Sequence, residues 1–402
     1  MKNYDWKTKR ENKAYLALAD GSVFHGHSVG AKIDRVGEAV FNTGMTGYQE
    51  ILSDPSYAGQ FVCLTAPEIG NAGVNWEDME SRDFFATGLL MHKVNQPSNW
   101  RSQESLEDAL KTRGSPALAG LDTRTLTRLI RDKGAQKAFL CATGEVPVED
   151  GVERARAWEG LEGQDYVSKV TCDLAYDWDA DNRHAVTYPH HDEILPPADY
   201  RIIAYDFGIK WNILRSLRRA GLKVVVVPAK TTADEVLAME PDGVFLSNGP
   251  ADPAAVGYAA EAIRKLLGRV PLMGICLGHQ LLGLARGGKT YKLSFGHHGC
   301  NHPVKDLRND RTLITSQNHN FAVDADSLKN AGVEMTHVSL NDGSLEGFRC
   351  VDAPAFSVQF HPEAAPGPFD ALSVFTKILK MLLPSSLFGA RVRVCGKTKR
   401  TA

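Results

Sequence analysis

The chain has 402 residues, enough for two domains as a soft prior. Its residues are 43% hydrophobic and 23% charged, so each half can bury a core, and a formal net charge of −2 gives no general attraction for nucleic acid or an anionic membrane. No apolar stretch approaches the roughly 20 residues that span a bilayer, and residues 1–13 are polar and charged, without an apolar targeting segment. The seven cysteines, at 63, 141, 172, 276, 300, 350 and 395, are odd in number and lack a framework spacing, which points to reduced thiols and a cytoplasmic location.

Residues 14–175 read as one β-rich unit. Short β-like runs at 14–18, 39–42 and 61–65 are separated by glycines and polar turns. One helix is well marked: Asp122 caps it, Leu126, Leu129 and Ile130 form its apolar stripe, Arg131 and Lys133 suit its C-terminal end, and Gly134 stops it. Residues 176–199, rich in Asp, His and Pro and without a period, are expected to be a linker. From 200 to 384 the pattern changes. A strand at 201–205 leads to a helical stripe of Ile209, Ile213, Leu214 and Leu217, then a strand at 223–227. Thr232 and Glu235 match a capping box. Strands at 243–247 and 270–275 flank a helix at 258–267, and a further helix opens at Leu277. Such alternation implies right-handed βαβ units and a parallel sheet. Residues 290–360 turn mostly β, with Asn341-Asp342-Gly343 as a turn, and a last helix is expected at 369–383. The basic tail, 385–402, is expected to be disordered.

The sharpest local feature is Gly274-Ile275-Cys276-Leu277-Gly278-His279-Gln280, between an apolar strand and an amphipathic helix. A strained strand-to-helix turn needs small residues on both sides of its nucleophile. Such a turn lifts Cys276 out at the carboxyl end of the sheet, where open α/β sheets bind ligands. It also sets the sulfur at a helix N-terminus, where the dipole and free N–H groups favour the thiolate. The N–H of Leu277 is then placed to stabilise an oxyanion. A lone cysteine is more often a small buried hydrophobe; the flanking glycines and the strand–turn–helix context reverse those odds. A thiolate needs a proton shuttle and a group that orients it. The strand at 355–360 runs into His361-Pro362-Glu363, which can place His361 and Glu363 at the same sheet edge as Cys276.

These residues resemble the class I, triad-type glutamine amidotransferases. The resemblance rests on the cysteine turn, on Ser247-Asn248-Gly249-Pro250 and on Gln359-Phe360-His361-Pro362-Glu363. It extends to the carbamoyl-phosphate synthase small-subunit family through Met45-Thr46-Gly47-Tyr48-Gln49-Glu50, Asp54-Pro55-Ser56-Tyr57, Asp122-Thr123-Arg124, Tyr205-Asp206-Phe207-Gly208 and Phe295-Gly296-His297-His298-Gly299. It implies an α/β fold: a β-rich α/β small-subunit domain (14–175), then a flavodoxin-like amidotransferase domain (200–384) with a mixed, largely parallel sheet. It implies that Cys276, His361 and Glu363 hydrolyse L-glutamine through a glutamyl thioester, and that the N–H groups of Gly249 and Leu277 hold the oxyanion. Ser56, Gly249, Ala251, Leu277, Gln280, Asn318, Asn320 and Phe321 are the glutamine-binding positions it implies. It implies no cofactor on this chain. Ammonia would pass to a large subunit that carries ATP and a divalent metal and makes carbamoyl phosphate for pyrimidine and arginine synthesis, in a heterodimer or a higher oligomer of heterodimers. Two departures stand out: the family usually has Gly at the positions of Ala251 and Asn320, so a backbone that needed φ > 0 there would be strained. The readings weighed against this one are the glutaminase of another amidotransferase, a thiol hydrolase of another α/β family, and a non-catalytic gating subunit.

Two other signals are set aside. Residues 283–290 satisfy the Walker A pattern, but Gly283 falls inside the helix after Cys276 and Thr290 begins a strand, which is the reverse of what phosphate binding needs. His297, His298, Cys300 and His302 suggest zinc, yet their spacing lacks a metal-ligand element and adjacent strand residues point to opposite faces, so no metal is expected.

Overall fold

The computed structural model describes residues 14–178, 185–188, 192–250 and 252–382. The first domain is built on β1 (Tyr15–Leu18), β2 (Val23–His25), β3 (His27–Ser28), β4 (Arg35–Asn42), β5 (Gln60–Leu64), β6 (Glu68–Ile69), β7 (Gly88–Leu90), β8 (Lys93–Val94), β9 (Ala117–Ala119) and β10 (Gln136–Cys141). Eight of these strands form one sheet in the order β2-β1-β10-β4-β5-β7-β9-β3, and β6 and β8 pair separately. The run from β4 to β9 is parallel, and its middle strand, β5, is buried along its whole length. Parallel strands carry cover on both faces and so read as continuous apolar runs rather than alternating ones. The helix Thr123–Lys133 forms as expected: the Asp122 carboxylate accepts the Thr125 N–H at 2.9 Å, and Gly134 ends the helix at φ 89°. Leu126 and Ile130 pack on Leu16, Phe61 and Leu140.

The second domain comprises β11 (Tyr176–Asp177), β12 (Tyr200–Asp206), β13 (Leu222–Pro228), β14 (Gly243–Leu246), β15 (Leu272–Ile275), β16 (Thr290–Asp306), β17 (Arg311–Val323), β18 (Val333–Ser339), β19 (Leu345–Cys350) and β20 (Ala355–Val358). Its sheet runs β11-β13-β12-β14-β15-β20-β19-β18-β16-β17. The strands from β13 to β20 are parallel and those beyond are antiparallel. The two faces of β12 divide by the period of two: Ile203 and Tyr205 join the core under helices Gly257–Leu266 and Leu277–Ala285, and Ile202 and Ala204 join the core under helices Trp211–Arg219 and Ser373–Leu382. The Thr232–Glu235 capping box is present. Gly283 lies within helix Leu277–Ala285 and Thr290 opens β16, so the Walker-like run has no phosphate-binding geometry.

The expected linker differs at its start. Tyr176 and Asp177 pair antiparallel with β13 as an edge strand, Val167 is buried in one core of the second domain, and Trp178 is buried in the other. The second domain therefore recruits chain from about residue 167 onward. A two-residue strand has too little pattern to be read locally, because its pairing is set by the sheet it joins. The last helix spans Ser373–Leu382, and the tail at 385–402 lies outside the described residues.

The domains meet along β16, β17 and the short helices after β4. Phe41 stacks on Phe295 with ring centroids 5.8 Å apart, the Thr43 N–H donates to His298 O, and the Asn320 side chain donates to Glu38 at 3.0 Å. The carboxyl ends of the parallel strands open onto this seam, which is where Cys276 lies.

Candidate active site

Cys276 sits between β15 and helix Leu277–Ala285 with φ 53° and ψ −108°, a backbone that L-residues rarely adopt. Neighbouring backbone explains the flanking glycines. A Cβ on Gly278 would lie 2.1 Å from Leu246 O, and one on Gly274 would lie 2.6 Å from the Gly278 carbonyl. The Cys276 N–H donates to Val358 O at 2.9 Å, which fastens the turn to the adjacent strand, β20. Three residues past that strand, the His361 N–H donates to Ser316 O at 2.9 Å. The two catalytic candidates thus stand at the carboxyl ends of neighbouring parallel strands.

The His361 Nδ1–H donates to Glu363 Oε1 at 2.6 Å. Its Nε2 has no hydrogen-bond partner of ordinary length among the described residues, yet the thiol is near enough to raise the imidazole's proton affinity. The sulfur and Nε2 are therefore close neighbours without a hydrogen bond of ordinary length, and the Cys276 thiol donates to Asn318 O at 3.5 Å. Burial alone would depress His361, but the Glu363 charge and the Cys276 sulfur outweigh it and hold the imidazole up at about 10. Burial would raise Glu363; Lys210 and His361 together bring it down to about 2.

Lys210 is the residue that the sequence reading missed. Its ammonium is buried, donates to Glu363 Oε1 at 2.9 Å and to Ala364 O at 2.8 Å, and stays charged because Glu363, Glu80 and Asp54 outweigh its burial. The only sequence signal was its place between the Tyr205-Asp206-Phe207-Gly208 motif and the next helix, where a lysine reads as a surface residue.

One narrow pocket brings together Ser56, Gly249, Cys276, Gln280, Asn318, Asn320 and Phe321. Gln60 and His319, absent from the sequence reading, line it as well. Ser56 reaches it from the first domain through Asp54. One Asp54 oxygen accepts the Ser56 N–H at 2.9 Å and the Asn248 side chain at 3.3 Å; the other accepts the Asn318 side chain at 2.9 Å. Asn248 also donates to Ser56 Oγ at 2.9 Å. Gln280 donates to Phe321 O at 2.7 Å and to Gln359 at 3.1 Å. The backbone of Gly249 abuts Leu277: a Cβ there would meet Leu277 Cδ2 at 2.7 Å and Phe207 O at 2.2 Å. Neither the Gly249 nor the Leu277 N–H has an acceptor among the described residues, which suits a pair of oxyanion donors.

The four residues that suggested zinc do not converge. His298 turns to Asn318 and Asn320, and Cys300 lines a separate cavity behind His361.

Residues 16–140 match the family described as carbamoyl-phosphate synthase small chain, CPSase domain, and residues 203–381 match glutamine amidotransferase class-I. The chain is 51% identical to the carbamoyl phosphate synthase small chain of Thioalkalivibrio sulfidiphilus, over 93% of this chain and 98% of the relative. It is 52% identical to that of Xanthomonas campestris pv. campestris, over 91% and 97%, and 50% identical to that of Pseudomonas aeruginosa, over 92% and 98%. The chain belongs to the carbamoyl-phosphate synthase small-chain family.

Within this small-chain family the two departures noted in the sequence resolve differently. Ala251 lies outside the described residues. Asn320 is not among the residues with positive φ; it sits in β17, and its side chain bridges the His298 ring, at 2.8 Å, and Glu38. The strain that a left-handed backbone would have imposed does not arise, because the residue is held as ordinary strand. No helix among the described residues is long and apolar enough to cross a membrane.

Proposed function

We propose that the chain is the glutaminase subunit of a carbamoyl-phosphate synthase. The observation that carries this is the buried row Lys210–Glu363–His361, ending beside Cys276 on a pocket with two free backbone donors. The Cys276 sulfur attacks the side-chain amide carbon of L-glutamine. His361 moves the thiol proton to the departing nitrogen, and ammonia leaves. Gly249 and Leu277 N–H groups hold the oxyanion of each tetrahedral intermediate. Water, deprotonated by His361, then cleaves the glutamyl thioester and releases glutamate. Glu363 keeps the imidazole oriented and supports its positive charge, and Lys210 keeps Glu363 ionised. Ser56, Gln280, Asn318, Asn320 and Phe321 hold the substrate.

The reaction asks for no cofactor on this chain. A cavity on the far side of His361, lined by Glu50, Asp54, Tyr57, Lys210, Cys300 and Pro366, is where we route the ammonia. Its recipient is a large subunit, in a cytoplasmic heterodimer or an oligomer of heterodimers, that combines ammonia with bicarbonate and ATP. The test is Cys276→Ser in the reconstituted complex. Glutamine-dependent carbamoyl phosphate synthesis should vanish while synthesis from free ammonia persists. Persistence of the glutamine-dependent reaction would remove Cys276 from the mechanism.

A further inference from the structure

Beside the glutamine pocket, three side chains that the glutaminase reaction does not use bring their ligating atoms together. His297 on β16 and His319 on β17 face each other across the antiparallel ladder, and Glu346 comes from β19. Their ligating atoms all lie within 4.8 Å of one another, and all three residues are buried. His297 Nδ1 and Glu346 Oε1 are 3.6 Å apart, and neither has a hydrogen-bond partner among the described residues.

The outer contacts orient the inner atoms. His297 Nε2 meets Asp342 at 2.9 Å and carries a proton, so Nδ1 faces Glu346, where a cation would compete with the second proton that the two carboxylates favour. His319 Nδ1 lies 2.8 Å from Phe321 O, a pure acceptor, so Nδ1 is the donor and Nε2 presents a lone pair. Glu346 Oε2 accepts the Gln317 side chain at 2.9 Å, leaving Oε1 bare. The same Gln317 sets its Oε1 3.0 Å from His319 Nε2. Turning that amide round would relieve His319 but set the oxygen against Glu346. With both imidazoles neutral and Glu346 ionised, the cluster holds more acceptors than its donors can satisfy, and buried acceptors without partners are costly. A proton is one remedy, held by His297 between its two carboxylates rather than by His319, which burial pushes well below its ordinary range; a divalent cation is the other.

We propose that His297 Nδ1, His319 Nε2 and Glu346 Oε1 bind a borderline divalent cation of the zinc class, with Gln317 Oε1 or water as a fourth ligand. Two imidazoles and a carboxylate are a zinc ligand set, and ligands on a tetrahedral zinc stand about 3.3 Å apart, close to the His297–Glu346 separation. Closure of the third ligand is a side-chain movement of up to about 1.5 Å from the spacing present. Each ligand already has its outer partner: Asp342 on His297, Phe321 O on His319 and Gln317 on Glu346. The ion would pin β16, β17 and β19 together behind Asn318 and Phe321, stiffening the pocket wall without entering the chemistry.

The test uses the full chain, stripped with a chelator and titrated with Co²⁺ and then Zn²⁺. The expected result is one equivalent of Co²⁺ with visible d–d bands of a four-coordinate site, displaced by Zn²⁺, and a rise in melting temperature on loading. Glu346→Gln and His297→Ala should each abolish the bands while the chelated proteins keep their circular dichroism. Asp342→Asn should weaken binding about ten- to a hundredfold. Absence of stoichiometric Co²⁺ binding in the unsubstituted chain would overturn the proposal, leaving His297 as an imidazolium shared by Asp342 and Glu346. Undiminished bands in both ligand variants would overturn it equally.

Discussion

Gly249→Ala isolates the oxyanion donors from the triad. The added Cβ would lie 2.2 Å from Phe207 O and 2.7 Å from Leu277 Cδ2, and the first of these is backbone, which cannot swing away. The segment 248–250 must retreat by about 1 Å to reach an ordinary contact, at an overpacking cost of about 1–3 kcal/mol. The same retreat carries the Gly249 N–H away from the developing oxyanion. Loss of one such donor costs roughly 10²–10³ in kcat, about 3–4 kcal/mol of transition-state stabilisation. The ground-state amide leans on that donor less, so KM should move by less than about tenfold. Steady-state glutamate release gives both constants. A melting curve and the rate of Cys276 alkylation show whether the fold and the thiol survive. A folded variant with normal alkylation and a kcat within about threefold of the unsubstituted chain would refute the role given to Gly249.

The remaining predictions test the supports of the triad. Lys210→Met leaves Glu363 buried beside His361 alone, and should lower stability in urea by about 3–5 kcal/mol, the usual cost of removing one partner of a buried pair. Lys210→Met with Glu363→Gln should recover much of that loss while remaining poor in kcat. Asp54→Ala removes the carboxylate that holds Ser56, Asn248 and Asn318, and should raise the KM for glutamine about ten- to a hundredfold with a smaller change in kcat, measured at saturating glutamine. Burial lifts Glu80 to about 7 against the pull of Lys210 and Arg215. Its folded value is therefore above the unfolded one, so between about pH 4.5 and 7 the native state holds a proton that the unfolded chain has released, and Glu80 makes stability fall as pH rises through that window. Urea titrations across pH 4–8 should show a flatter profile for Glu80→Gln.

Much of this molecule was legible in one dimension. The cysteine turn announces itself because backbone crowding at Gly274 and Gly278 admits only the smallest residues, and that demand is local. The His361–Glu363 pair is legible for a similar reason: two residues apart beyond a strand end, they share one rim whatever the rest of the fold does. Caps such as Asp122 and Thr232 act within a single turn and were readable in the same way.

The fold alone decided the rest. Residues 167–177 have no period of their own, and they joined the second domain because its sheet offered an open edge and an apolar face. Lys210 looked like a surface residue until the packing of helix Trp211–Arg219 against the seam enclosed its ammonium with Glu363. Asp54 had no visible role until Asn248 and Asn318, 194 and 264 residues away, arrived at its two oxygens. Each of these depends on electrostatic partners brought together from distant parts of the chain, and spacing along a sequence carries no record of charge that becomes strong only once water has been excluded.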